Sequence, residues 1–219
     1  MKTYIDLTYD ITQDTPMWPG EASPEIREVK TLEKDGYAVQ SIGFSNHMGT
    51  HLDAPSHFIR GGCTLDQIPL ETFIGRAVIL DFTGKQEGDV ITRRELASHG
   101  SRLGPGSRIL LKTGWDRKFK KDGFFEGFPC LDLDAARYLV STRPALLGMD
   151  TPSPSPIGDP DEKIHKTLLG AGVVHLEALR NLTLIGEEEC GLIVLPPPFK
   201  GFSGSPCRAV AVVERRPGV

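Results

Sequence analysis

The chain has 219 residues, 39% hydrophobic and 25% charged, which is ordinary for a globular protein. At that length folding hides roughly 70% of the unfolded surface, so a substantial core can form. A net charge of −4 with no basic run argues against nucleic acid as a partner.

The opening MKTYID lacks the apolar stretch of a secretion signal, and no window is long and apolar enough to cross a bilayer. No membrane partner is therefore expected. Residues 75–82 and 107–113 are rich in β-branched and aliphatic side chains and predict strands. Thr92 can cap a helix over 93–99, with Glu95 at its third position and Gly100 as its stop. A second helix opens at Asp132 or Asp134 and runs through Val140, before Pro144 forbids its continuation. Residues 150–161 carry four prolines, so this segment can be neither a central strand nor a helix and must cross the surface or a pocket. A short helix over 162–169 ends at Gly170 and Gly172, and further strands are expected at 184–185, 193–195 and 208–213. This order predicts a mixed α/β single domain over residues 1–219. The scattered Cys63, Cys130, Cys190 and Cys207 form no CxxC pair, as expected for reduced thiols in a cytoplasmic protein.

The chemistry concentrates in HMGTHLDAPSH, residues 47–57, which holds three of the chain's six histidines. His47, Gly49, His51, Asp53, Pro55 and His57 occupy alternate positions and would share one face of a strand. Fully extended, such a run spans roughly 33 Å, whereas a metal holds its ligands at about 2 Å. If these groups converge, the chain must bend, and Gly49 and Pro55 are where it can. A strand running into a tight loop is therefore expected. Two histidines and a carboxylate suit zinc, manganese or iron and leave coordination positions open. The plainer reading is a polar loop of surface histidines, but several N/O donors on one short loop are costly to gather without an ion. Downstream, His165 on the short helix and Glu177 on the following strand-like run can reach one wall. Read alone, His165 could equally be a solvated or core histidine, and Glu177 a salt-bridge partner. Cys207 beside Arg208 has no histidine in sequence reach and reads as a small buried residue, and Trp115 reads as structural.

The pattern H-x-x-x-H-x-D-x-x-x-H resembles the bacterial kynurenine formamidase and cyclase family of metal-dependent hydrolases. The resemblance extends to TPMWPGE at 15–21, LGMDT at 147–151, His165 with Glu177, and GSPCRA at 204–209. It implies an α/β domain of swivelling β/β/α type, with a mixed sheet or partial barrel, assembled as a homodimer or homotetramer. It further implies two divalent ions, zinc or manganese. His47 and His51 would bind one ion and His165 the other, with Asp53 and Glu177 as bridging carboxylates. His57 corresponds to the catalytic proton donor and acceptor, and Trp18 to a substrate-contacting aromatic. The implied activity is hydrolysis of an amide or formamide C–N bond, with N-formylkynurenine as the leading substrate. Cyclic-amide cleavage of the isatin hydrolase type is the alternative; there a single manganese and no bridging glutamate are expected. A non-catalytic metal-binding protein is a third reading, against which His57 argues because binding does not need it.

Several residues depart from the family pattern. Thr50 and Leu52 stand where formamidases carry small alanines, and the 151–156 and 196–200 segments are proline-rich. His175 shares strand parity with Glu177, but single strand histidines usually only pack or hydrogen-bond, so it stays outside the expected ligand set. Phe124, Phe125, Phe128, Phe199 and Phe202 join Trp18 as candidates for an aromatic slot selecting aryl substrates, and for most of these phenylalanines core or interface packing is expected.

Overall fold

The structure is a computed structural model and describes residues 1–214. In chain order, β1 (Lys2–Asp6) precedes an antiparallel hairpin of β2 (Glu25–Lys30) and β3 (Val39–Gly43), with the single-turn α1 (Leu32–Asp35) at its tip. The histidine tract supplies β4 (His51–Asp53), and β5 (Ile74–Asp81) follows. After β6 (Val90–Ile91) come α2 (Arg93–Ser98), β7 (Arg108–Lys112), β8 (Cys130–Leu131) and α3 (Leu133–Thr142). The remaining elements are β9 (Leu146–Met149), α4 (Lys163–Gly170), β10 (Val174–Glu177), β11 (Glu189–Leu195), β12 (Gly204–Pro206) and β13 (Arg208–Glu214).

Nine strands form one curled mixed sheet in the order β1-β13-β11-β5-β7-β9-β10-β4-β12. The neighbours β5, β7, β9 and β10 run parallel, and both flanks are antiparallel. Alternation splits the buried side chains between two faces. Ala77, Ile79, Leu110 and Leu176 enter one core with Leu7, Leu52 and Phe73. Val78, Leu80, Ile109 and Leu147 enter the other with Leu96 of α2, Leu139 of α3 and Leu168 of α4. Strands buried on both faces read as continuous apolar runs, which explains why β5 and β7 are legible in sequence.

Helices α2 and α3 form where their caps predict, whereas α4 has no side-chain cap and runs through Gly170. Thr92 Oγ1 accepts from Glu95 N while Glu95 Oε2 accepts from Thr92 N, a reciprocal capping box. Asp132 Oδ1 accepts from Ala135 N at 2.6 Å, and α3 ends at Arg143 in the left-handed region (φ 57°), just before Pro144. The strand expected at 184–185 is not formed. Asn181 in a left-handed conformation starts a 3₁₀ turn over Leu182–Leu184, and Ile185 buries its side chain without joining the sheet. Trp115 is structural as expected, buried with Phe124 and Phe128 and donating Nε1–H to Phe124 O. Cys207 is buried, and burial pushes its thiol pKa up. No helix among the described residues is long and apolar enough to cross a membrane.

Candidate metal centre

The parallel strands end at one rim of the sheet, the usual location of ligand sites in open α/β sheets. Glu177 is the last residue of β10, and β4 lies antiparallel beside it, pairing His51 with Glu177 and Asp53 with His175. His51 and Asp53 share a face by strand alternation. Gly49 provides the expected bend with a left-handed φ of 57°, folding His47 back over them. Pro55 starts the 3₁₀ turn Pro55–His57, which swings His57 around until its ring stacks on His47 at 3.8 Å between centroids. The tract is thus a short strand between two tight bends, as its glycine and proline predict.

The groups converge. His47 Nδ1 lies 2.6 Å from Asp53 Oδ1, and His51 Nε2 lies 3.3 Å from the same oxygen and 3.6 Å from Glu177 Oε2. His165 reaches the rim from α4, whose buried face holds Ile164, His165, Leu168 and Leu169, and places Nε2 3.7 Å from Glu177 Oε1. Two overlapping clusters result: His47, His51 and Asp53 in one, and Asp53, His165, His175 and Glu177 in the other. Within each cluster the ligand atoms lie within 4.8 Å of one another. All five expected ligands are therefore brought together, with Asp53 common to both groups and His175 added.

The electrostatics are those of a carboxylate pair wrapped in imidazoles. Burial pushes Asp53 up, but His47 and His51 outweigh it and hold the carboxyl well below its ordinary value. Burial and the Asp53 charge push Glu177 up, and His165, His175 and His51 bring it below its ordinary value. Burial pushes His51 down, yet Asp53, Glu177 and the Gly49 carbonyl raise it to about 9. Burial likewise opposes protonation of His165, and Glu177 and Asp53 reverse that. His57 differs: burial dominates and lowers it to about 4, leaving a neutral imidazole at pH 7. The site fits divalent ions on its own chemistry. Its donors are imidazole nitrogens and carboxylate oxygens, and Glu177 Oε1 is buried with no hydrogen-bond partner among the described residues.

Sequence reasoning missed the supports around these side chains. Ser155 Oγ lies 2.8 Å and Glu162 Oε2 3.1 Å from His165 Nδ1, contacts that fix the ring and leave Nε2 facing Glu177. The proline-rich loop that carries Ser155 passes over a pocket, one of the two courses its composition allows, but nothing in the sequence says that its serines meet His165. Ser203 Oγ lies 3.2 Å from His47 Nε2. Above the cluster is a cavity of about 220 Å³ whose wall includes Trp18, Phe58, Phe119, Phe124 and Phe125. Trp18 meets Phe125 edge-to-face at 5.6 Å. Of the candidate aromatics, Trp18, Phe124 and Phe125 line this cavity, and the others pack elsewhere, as expected for most of them. Phe128 is buried beside Trp115, Phe199 and Phe202 pack on each other away from the cavity, and Phe58 and Phe119 take their places. Thr50 and Leu52 do not shape this wall. Thr50 Oγ1 donates to Ala178 O, and Leu52 belongs to the core.

The family model described as "Putative cyclase" matches residues 5–156. The chain belongs to the cyclase family. Among relatives from this family, a kynurenine formamidase of Salinibacter ruber is 31% identical over 94% of this chain and 95% of its own. A kynurenine formamidase of Bacillus cereus is 32% identical over 96% of this chain and 98% of its own. Isatin hydrolase A from Labrenzia aggregata, solved with benzyl benzoate bound, superposes with a TM-score of 0.87 at 27% identity, over 97% of this chain and 94% of that one. A structure described as a potential metal-dependent hydrolase with cyclase activity superposes at 0.79 and 26% identity, over 99% and 100%.

Proposed function

We propose that this cyclase-family protein hydrolyses the C–N bond of an aromatic amide or formamide, with N-formylkynurenine as the leading substrate. The observation that carries the reading is the pair of ligand clusters sharing Asp53, with neutral His57 beside them, at the base of an aromatic-walled cavity. His47, His51, Asp53, His165 and Glu177 would hold two divalent ions, zinc or manganese. Such ions supply a Lewis acid for a carbonyl oxygen and lower the pKa of water towards 7. His57 is placed to take a proton from the attacking water and deliver it to the leaving nitrogen. Water adds to the carbonyl carbon, the C–N bond breaks, and an acid and an amine leave. The relatives named kynurenine formamidase favour a formamide.

A second reading, cleavage of a cyclic amide, draws on the similarity to isatin hydrolase A. Glu177 within the second cluster favours two ions and hence the formamidase. The test is a hydrolysis screen of N-formylkynurenine, isatin, and matched aryl and aliphatic formamides on zinc- and manganese-loaded enzyme. The aryl formamide should exceed its aliphatic counterpart at least tenfold in kcat/KM, about 1.4 kcal/mol of transition-state binding. Trp18→Ala should remove most of that preference through KM while leaving metal content unchanged. Equal cleavage of both formamides would remove the aromatic slot and the kynurenine assignment.

A further inference from the structure

His175 sits in the middle of β10, fully buried. Its strand neighbours are Asp53 on β4 and Leu147 on β9. Neither ring nitrogen has a hydrogen-bond partner among the described residues. This is costly, because a neutral imidazole always carries one N–H donor and one acceptor nitrogen, and a buried polar group left unpaired loses its hydration without return. A histidine that only packs in a core normally secures at least one backbone or side-chain partner. His175 Nδ1 instead lies 3.7 Å from Glu177 Oε1, itself buried and unpartnered. His165 Nε2 approaches that same oxygen to 3.7 Å from the opposite element, with the two imidazole centroids 5.5 Å apart. Three buried polar groups therefore face one point, with Asp53 completing the set within 4.8 Å.

We propose that His175 is a direct ligand of the second ion, which makes that site a two-histidine, two-carboxylate site. The proposal rests on the metal centre of the hydrolase reading above and extends it by one residue. The cluster of His47, His51 and Asp53 offers three protein donors within 4.8 Å of one another and the other cluster four, and Glu177 Oε2, 3.6 Å from His51 Nε2, is a donor the two sites would share where it bridges.

Stepwise zinc titration against a chromophoric chelator, on metal-stripped wild type, His175→Leu and His175→Gln, measures this directly. Circular dichroism of the stripped proteins controls for folding. At least one of the two stepwise affinities should fall tenfold or more in both variants. On wild-type protein with ¹⁵N-labelled histidine, the His175 ring nitrogen that binds should shift between the stripped and zinc-saturated states, a readout that needs no variant to fold. Folded variants that bind both ions with wild-type affinity would overturn the proposal, as would unshifted His175 nitrogens at saturation. Either result leaves the hydrolase reading standing, whereas a wild type that binds neither zinc nor manganese would remove both.

Discussion

His57 and His51 lie six residues apart in one tract, and their surroundings drive them to opposite protonation states. Burial lowers His57 and, with His47 and His165, outweighs the opposing charges of Asp53 and Glu177, so it is neutral at pH 7; its stack on His47 places it beside the cluster without making it a member. His57→Ala should therefore keep both metals by elemental analysis while lowering kcat by roughly 10²–10⁴-fold, the usual size of a general acid–base contribution. Loss of metal together with activity would make it a ligand instead. His51, between Asp53 and Glu177, is raised to about 9. In the metal-free protein its charged form is favoured by folding, so that stabilisation is complete below pH 6.5 and is lost as pH rises towards 9. Binding a metal must displace the same proton, so zinc affinity should climb across that window. Thermal melts of chelator-treated protein from pH 6 to 9 should show the decline, and His51→Gln should flatten it. The alternation of His51 and Asp53 made this pairing legible in sequence. His165 and Glu177 were only weakly legible: a helix followed by a strand can bring them to one wall, but nothing in their spacing says that the start of α4 and the end of β10 meet at one rim, and the family resemblance supplied the pairing.

Short elements were the least legible, and they are the ones that build the site. The strands β4, β9, β10 and β12 span only three or four residues each, too few to show a period. β12 illustrates what such an element does. It pairs Gly204 with Asp53, and Ser203 just before it touches His47. A methyl group added at Gly204 would meet the His47 ring, coming within 2.8 Å of both its nitrogens. Glycine is thus needed there for close approach rather than for backbone freedom, which explains physically why GSPCRA accompanies the histidine tract. Gly204→Ala should displace His47, weaken binding at the three-donor site by at least tenfold in a zinc titration, and leave the circular dichroism spectrum unchanged. Wild-type zinc affinity in that variant would show that the ring can move without cost.

At the scale of the molecule, the mixed sheet is apolar on both faces and covered on one by α2, α3 and α4, so the chain satisfies its own core. The β2–β3 hairpin does not. It belongs to a separate two-stranded sheet, and around it Val29, Leu32, Tyr37, Val39, Ile42 and Phe44 are between 39% and 66% exposed. Apolar side chains exposed on both faces of a ribbon outside the main sheet are a contact surface or an aggregation liability. The homodimer or homotetramer implied by the family resemblance would give them a role, because a symmetric interface covers the same surface on each copy. Light scattering coupled to size exclusion should therefore find a dimer or tetramer for the wild type. Val39 and Ile42 lie on opposite faces of β3, so Val39→Glu with Ile42→Glu charges both faces and should shift it to the 24.0 kDa monomer without loss of secondary structure. Neither Val39 nor Ile42 belongs to a ligand cluster or to the wall of the cavity, so the monomeric variant should still take up zinc. An assembly unchanged by both charges would place the interface elsewhere on the molecule.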